Sequence, residues 1–215
     1  SLNSIQGKVT YDTNVDNCAT STFTPSNVQV KSAVSSSGNV YFSNSNSSGI
    51  FGSSFNEMGL VTTNIPNSSI ISNPINYTNT FTIPQTLTNK NFCINSTIPS
   101  SDVSVVIVPT SFPRPGFNSN YRILYTNNGG TITSGTVNFT YQNTIINYLS
   151  SSPAENSSTS NSLSWNYSNL LPFETRTIDV FFNINTPPTV NNGDNLSFTS
   201  TISPFLETNT LNNTF

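Results

Sequence analysis

Histidine is absent from this 215-residue sequence. That excludes a Ser-His-Asp triad and a Cys-His dyad. It leaves zinc only a site without imidazole, built on two cysteines far apart in the chain. Charge is scarce as well. Asp, Glu, Lys and Arg make up 7% of the residues, against about 25% in an ordinary globular domain. The six cations, Lys8, Lys31, Lys90, Arg114, Arg122 and Arg176, are scattered, and the net charge is −3. Such a chain has no basic footprint for nucleic acid. No apolar run approaches a membrane span. There is no signal-peptide pattern at the start, so the chain is expected to be mature or a fragment. Neither a GxGxxG fingerprint nor a P-loop occurs.

What fills the sequence instead is Asn, Ser and Thr, with 15 Phe and 8 Tyr among a 33% hydrophobic share. Disorder needs high net charge and few aromatics. Here the aromatics argue for packed sheets, and the short polar side chains solvate strand faces and form turns. The length suits one large β domain or two of about 100 residues.

The stretch Phe112–Gly130 organises the reading. Pro113-Arg114-Pro115-Gly116 cannot be helix, and Tyr121–Tyr125 alternates with the period of a half-buried strand. The turn signal Asn127–Gly130 then predicts a hairpin. Upstream, strands are expected at Ile5–Tyr11, Val28–Val34, Val40–Phe42, Ile50–Phe55, Gly59–Thr63, Thr80–Ile83 and Asn91–Asn95. Asn64–Asn79 has room for one edge strand. Downstream they are expected at Asp102–Pro109, Tyr121–Tyr125, Thr136–Tyr141, Ile145–Leu149, Ser162–Tyr167, Arg176–Ile184 and Leu196–Ile202. The Val103–Val108 run is nearly continuous, which predicts that parts of it are buried on both faces. Seven short strands twice over, with no helical periodicity, predict an all-β chain of two tandem antiparallel β-sandwich modules, 1–98 and 99–215. Pro99 should make their joint stiff.

Few residues offer chemistry. Cys18 and Cys93 suit one disulfide in an oxidising compartment; the alternative is two unrelated buried thiols. Asp12-x-Asn14-x-Asp16 repeats the opening of a calcium loop, in which oxygen side chains at alternate positions can converge on Ca²⁺. Asn17 stands where that rule wants glycine and Phe23 where it wants the terminal Glu, so an Asx-rich turn is the competing reading. Paired carboxylates of the glycosidase kind would have to come from Glu155, Glu174, Asp179, Asp194 or Glu207. Arg114 is either a structural arginine paired with Asp102 or Glu174, or an exposed ligand contact; the flanking prolines favour the pair. Trp165, the single tryptophan, shares its parity with Leu163 and is expected to anchor a core. No cofactor is required by this inventory. The Asn-x-Ser/Thr sequons are about as frequent as the composition produces by chance.

Several stretches carry a family resemblance. PRPGF (Pro113–Phe117), YRILYTNNG (Tyr121–Gly129), SGTVNFTY (Ser134–Tyr141), LSWNYSNLLPFETRTIDVFF (Leu163–Phe182) and NNGDNLSFTSTISP (Asn191–Pro204) resemble an immunoglobulin-like repeat domain of Bacteroidota surface proteins. These are often large flavobacterial proteins exported by type IX secretion. GKVTYDTNVDNC (Gly7–Cys18), NVQVKSA (Asn27–Ala33) and NFCINST (Asn91–Thr97) are similar to the prealbumin-like module that often precedes it and to collagen-adhesin B-type repeats. The chain departs from the pattern at Asp16-Asn17-Cys18, where Asp-Gly is usual, and near its end, where Glu207 is the one acidic residue. No type IX sorting domain is recognisable. The resemblance implies a non-catalytic extracellular or cell-surface module pair, a stalk or filament building block. Its expected partners are neighbouring modules or copies of itself. The alternative is a carbohydrate-binding module, in which exposed rings stack on surface glycans. The two differ in whether one sheet face exposes a co-planar set of aromatics.

Overall fold

The computed structural model describes residues 2–204 and 210–215. The chain divides into two compact units, Ser1–Pro99 and Ser100–Phe215, and both are β-sandwiches. The first holds β1 (Asn3–Tyr11), β2 (Gln29–Val34), β3 (Val40–Asn44), β4 (Ile50–Phe55), β5 (Gly59–Asn64), β6 (Ile70–Asn73), β7 (Asn76–Phe81), β8 (Thr86–Leu87) and β9 (Phe92–Ser96). One sheet runs β4-β1-β9-β6 with β8 also on β1; the other runs β3-β2-β5-β7.

β1 carries the first sheet because both its edges are in use. It is antiparallel to β4 over Asn3–Lys8, parallel to β8 at Ser4–Ile5 and parallel to β9 at Val9–Tyr11. Gly7 sits where the partner changes. A Cβ there would lie 2.2 Å from the Lys90 carbonyl oxygen, so the two backbones approach only because residue 7 has no side chain. Ile5, Val9 and Tyr11 point inward and Gln6 and Lys8 outward, the period-2 pattern of a sheet with one wet face. The segment 64–79 holds two strands rather than one. Asn73-Pro74-Ile75 interrupts the ladder, since proline donates no N–H, and the chain passes from β6 on β9 to β7 on β5.

The second unit holds β10 (Val103–Pro109), β11 (Asn118–Asn127), β12 (Thr133–Tyr141), β13 (Ile146–Ser152), β14 (Ser157–Ser158), β15 (Ser162–Leu170), β16 (Thr175–Ile184) and β17 (Phe198–Ile202). Its sheets run β10-β11-β16-β13 and β14-β15-β12-β17. After a 3-10 turn at Thr210–Asn212, the last residues add to β17: Phe215 and Ser200 exchange both main-chain bonds, at 2.8 and 2.9 Å. Phe182 is the aromatic centre of the core, with Tyr121, Phe139, Tyr141, Tyr148 and Phe198 around it at centroid distances of 5.0–6.1 Å. Trp165 is buried as expected, and its indole N–H donates to the Pro153 carbonyl at 3.1 Å.

Two expectations fail here. Asn127–Gly130 is not a hairpin, because β11 and β12 belong to different sheets; the hairpin is β10–β11, and Pro113–Gly116 lies in its loop. The Asn-Asn-Gly-Gly signal marks a crossing between sheets instead. Asn127 is fully buried there, and its amide group donates to the carbonyls of Thr131 (2.8 Å) and Leu170 (3.0 Å) and accepts from the N–H of Gly129 (3.0 Å). Nor is β10 buried on both faces. As the outermost strand of its sheet it leaves Val106 42% and Val108 41% exposed, while Val103, Val105 and Ile107 face the core.

Asn127→Ala should lower the unfolding free energy by about 2–3 kcal/mol, because it strands buried backbone groups as well as removing bonds. Urea unfolding of the whole chain checks this. A loss within about 0.5 kcal/mol, the range of an ordinary surface change, would refute the role given to the amide.

Candidate functional site

The sequence places chemistry in the loop after β1. Cys18 and Cys93 form a disulfide, with Cα atoms 5.7 Å apart and 75 residues of sequence between them. Cys93 lies in β9, whose pairing with Tyr11 brings it to the loop's base. Asp12, Cys18 and Cys93 offer ligand atoms within 4.8 Å of one another, but both sulfurs are spent in the disulfide and are not thiolate ligands.

The alternating oxygens of Asp12, Asn14 and Asp16 are turned onto their own loop. Asp12 accepts from the N–H groups of Asp16 (3.1 Å) and Asn17 (3.0 Å). Asp16 accepts from those of Ala19 and Thr20, both at 3.0 Å, and from the Thr20 hydroxyl. Asn14 donates its amide to Thr20 Oγ1 at 2.8 Å. These bonds hold Val15, Asn17 and Cys18 at φ of 56°, 61° and 60°, the left-handed region that a β-branched residue rarely enters. Desolvation pushes the Asp12 carboxyl up. The N–H donors of Asp16, Cys18, Asn17 and Asn14 outweigh it and leave its pKa below the ordinary 3.8.

The remaining carboxylates are dispersed. Glu174 pairs with Arg176 (2.6 Å) and accepts from the Leu171 N–H; Asp179 pairs with Arg122 (2.6 Å). Asp194 caps its own turn by accepting from the Asn191 N–H. Glu155 accepts from Tyr148 and Ser151. Burial and that bond to Glu155 push the Tyr148 hydroxyl up to about 12, so it stays a donor. Glu207 lies outside the described residues.

Arg114 does not make the expected pair. Glu174 is taken by Arg176 and Asp102 accepts from the Asn212 amide, while Arg114 is exposed above the Phe117 ring, 5.8 Å from its centroid. The prolines direct it outward from the β10–β11 loop, so it joins the rim of a cleft instead of a core. That cleft, of about 640 Å³, opens between this loop and residues 190–197. Its floor is apolar, from Ile107, Tyr121, Val190, Leu196 and Phe198, and Phe215 closes one side. A second recess, of about 420 Å³, lies on the Phe117 side of Arg114. Sequence reading missed this cleft: two loops far apart in the chain form it, and neither carries a signal by itself.

A sugar-stacking face needs co-planar exposed rings on one sheet. Among the described residues the exposed aromatics are Phe42, Phe112, Phe117 and Phe215. Phe42 is alone on its sheet, and the other three belong to one loop and the chain end.

No family model matches the chain, and no curated protein sequence does. Among solved structures it is similar to BcpA, the major pilin subunit of Bacillus cereus, at 10% identity and TM-score 0.34; it is covered in full and spans 66% of that protein. It is similar to a DUF3823 family protein from Parabacteroides merdae, at 11% identity and TM-score 0.33, covering 94% of this chain and 90% of that one. The T6 backbone pilin of Streptococcus pyogenes gives 10% identity and TM-score 0.31, with 93% and 57% covered.

Reduction should add two hydrogens to the intact mass. Cys18→Ser with Cys93→Ser should cost on the order of 4 kcal/mol of stability on a chain-entropy account of so long a loop. Two thiols that alkylate in the native protein would refute the bond.

The acid limb of the melting curve should carry the mark of Asp12. A lowered folded pKa contributes stability that is complete above the unfolded value and lost as pH falls through the folded one. The loss therefore lies on the acid side of 3.8. Asp12→Asn should melt lower at neutral pH and show a shallower acid limb, and calcium should leave the wild-type melting temperature unchanged. Equal acid limbs, or a calcium-dependent rise, would contradict this account of the loop.

Proposed function

We propose that this chain is a non-catalytic pair of structural modules of an extracellular or cell-surface protein, acting as a stalk or filament building block. The observation that carries this reading is how the acidic side chains are used. Of nine, all but Glu207 are described, and each of those eight is engaged by a nearby donor. Asp12 and Asp16 hold a loop, Asp194 a turn, Glu174 and Asp179 pair with arginines, and Glu155 receives Tyr148. Glu57 accepts from Ser37, Asn39 and Tyr41, and Asp102 accepts from Asn212. General acid–base work needs a carboxyl aimed at a substrate and free to change its proton. These carboxylates serve as hydrogen-bond acceptors that hold loops and strand ends.

The disulfide supports an oxidising compartment, and the aromatic cores with a short-chain polar surface suit persistence outside the cell. Adhesion, and export by type IX secretion as the repeat-domain resemblance implies, belong to the same reading. Copies of the chain or neighbouring modules are the partners it calls for.

Antibody against the folded chain should label intact producing cells, or their shed surface material, without permeabilisation. Labelling only after lysis would overturn the assignment. So would turnover of a glycan, peptide or ester by the pure protein, abolished by a single carboxylate substitution.

A further inference from the structure

We infer that the recess beside the Cys18–Cys93 disulfide is where a thiol reagent reaches that bond. The Asp12 carboxylate makes the site selective by charge, slowing anionic thiols far more than neutral or cationic ones. The inference goes beyond the structural-module reading and does not depend on it.

Both cysteines are half-buried, so the bond lies near the surface of the first unit. A recess of about 320 Å³ opens beside it, and Cys93 of β9, Asn73 of β6, and Asp12 and Asn17 of the loop after β1 line it. Asn73 donates its amide to the Asn17 side-chain oxygen at 2.6 Å, which ties the loop to the sheet next to the sulfurs. Asp12 alone among the lining residues carries a charge. Its carboxylate oxygen, Cys18 Sγ and Cys93 Sγ lie within 4.8 Å of one another. The N–H groups that outweigh its desolvation hold its pKa below 3.8. It is therefore an anion at neutral pH.

Thiol–disulfide exchange begins when a thiolate attacks one sulfur of the bond. Here the reagent's sulfur bonds to Cys93 Sγ, the sulfur whose residue lines the recess. The Cys18–Cys93 bond breaks, its electron pair stays on Cys18 Sγ, and water supplies that sulfur with a proton. The product is a mixed disulfide at Cys93 and a thiol at Cys18. A second thiolate then attacks the reagent's sulfur and frees Cys93. Two reagent thiols are oxidised to their own disulfide as the protein's bond is reduced.

Asp12 opposes the first step in two ways. It raises the proton affinity of the departing Cys18 sulfur, and a thiolate of higher pKa leaves more slowly. That effect is the same for every reagent. It also repels the reagent itself, and this repulsion grows with the negative charge the reagent brings. In an exposed site at such distances, the repulsion amounts to roughly fivefold in rate between reagents that differ by two unit charges. Thiols that carry a carboxylate or sulfonate are the class this geometry excludes. The bond that fixes the long loop to β9 is shielded from them while remaining near the surface.

Rates of reduction of the native chain test this, read by alkylation and intact mass. Mercaptoethanesulfonate, mercaptoethanol and cysteamine serve as the anionic, neutral and cationic thiols. Each rate constant is taken per thiolate and relative to the same reagent's rate on hydroxyethyl disulfide, which removes intrinsic reactivity. Cysteamine should then exceed mercaptoethanesulfonate roughly fivefold at low salt, and added salt should narrow the gap. Asp12→Asn loosens the loop and so speeds all three reagents, but it should also bring their relative rates nearly level. Asn73→Asp in that background returns a carboxylate to the recess and should restore the order. Relative rates that Asp12→Asn leaves unchanged, or that Asn73→Asp fails to re-order, would overturn the inference. So would reduction at a rate independent of reagent concentration, because the bond would then open only through unfolding. None of those outcomes bears on surface labelling or on absence of turnover, by which the structural-module reading stands or falls.

Discussion

The second unit depends on one buried amide. Asn127 ends β11 at the point where the chain leaves one sheet for the other, and its side chain bonds the Thr131 and Leu170 carbonyls and the Gly129 N–H. Its main chain adds the Glu174 carbonyl and the Phe173 N–H. Backbone groups at a crossing have no ladder to join, and burying them unpaired costs about 1–3 kcal/mol each. One residue answers several of these groups at once. Gly129 follows because the backbone at Ser100–Asp102 passes within 2.3 Å of where its Cβ would be.

The first unit solves the corresponding problem covalently. The long polar loop after β1 has little apolar surface to hold it down, and the Cys18–Cys93 bond fixes its end to β9. Asp12 and Asp16 then order its interior through N–H groups. In a chain so poor in charge, most carboxylates are used in this way, as acceptors for backbone, amide and hydroxyl donors. Only Arg122–Asp179 and Glu174–Arg176 are ion pairs among the described residues.

The same scarcity makes Arg114 and Glu57 conspicuous. Arg114 is an exposed cation beside an apolar cleft, and the Glu57 carboxylate ties the segment between β4 and β5 to the β2–β3 turn by accepting from Ser37, Asn39 and Tyr41. A surface made of Asn, Ser and Thr is adequate for solubility.

Alternation, turn residues and aromatic content determined, from the sequence by itself, that the chain is all-β. They located most strands to within a few residues, because the inward parity of Ile5-Val9-Tyr11 or Leu163-Trp165 is a local property of a half-buried strand. The disulfide was one of two readings open to the cysteines, the other being unrelated buried thiols, and the 5.7 Å between their Cα atoms decides it. What the tertiary structure decided is where strands pair and what loops meet. Asn127–Gly130 has the same local signature whether its flanking strands share a sheet or not, and only the pairing of β11 with β16 and of β12 with β15 settles it. Val103–Val108 reads as buried on both faces, but its edge position leaves Val106 and Val108 in water. Arg114 was expected to find a carboxylate, and the geometry of its loop aims it at the rim of a cleft. That cleft is assembled from segments distant in sequence, so it exists only once the sandwich has closed.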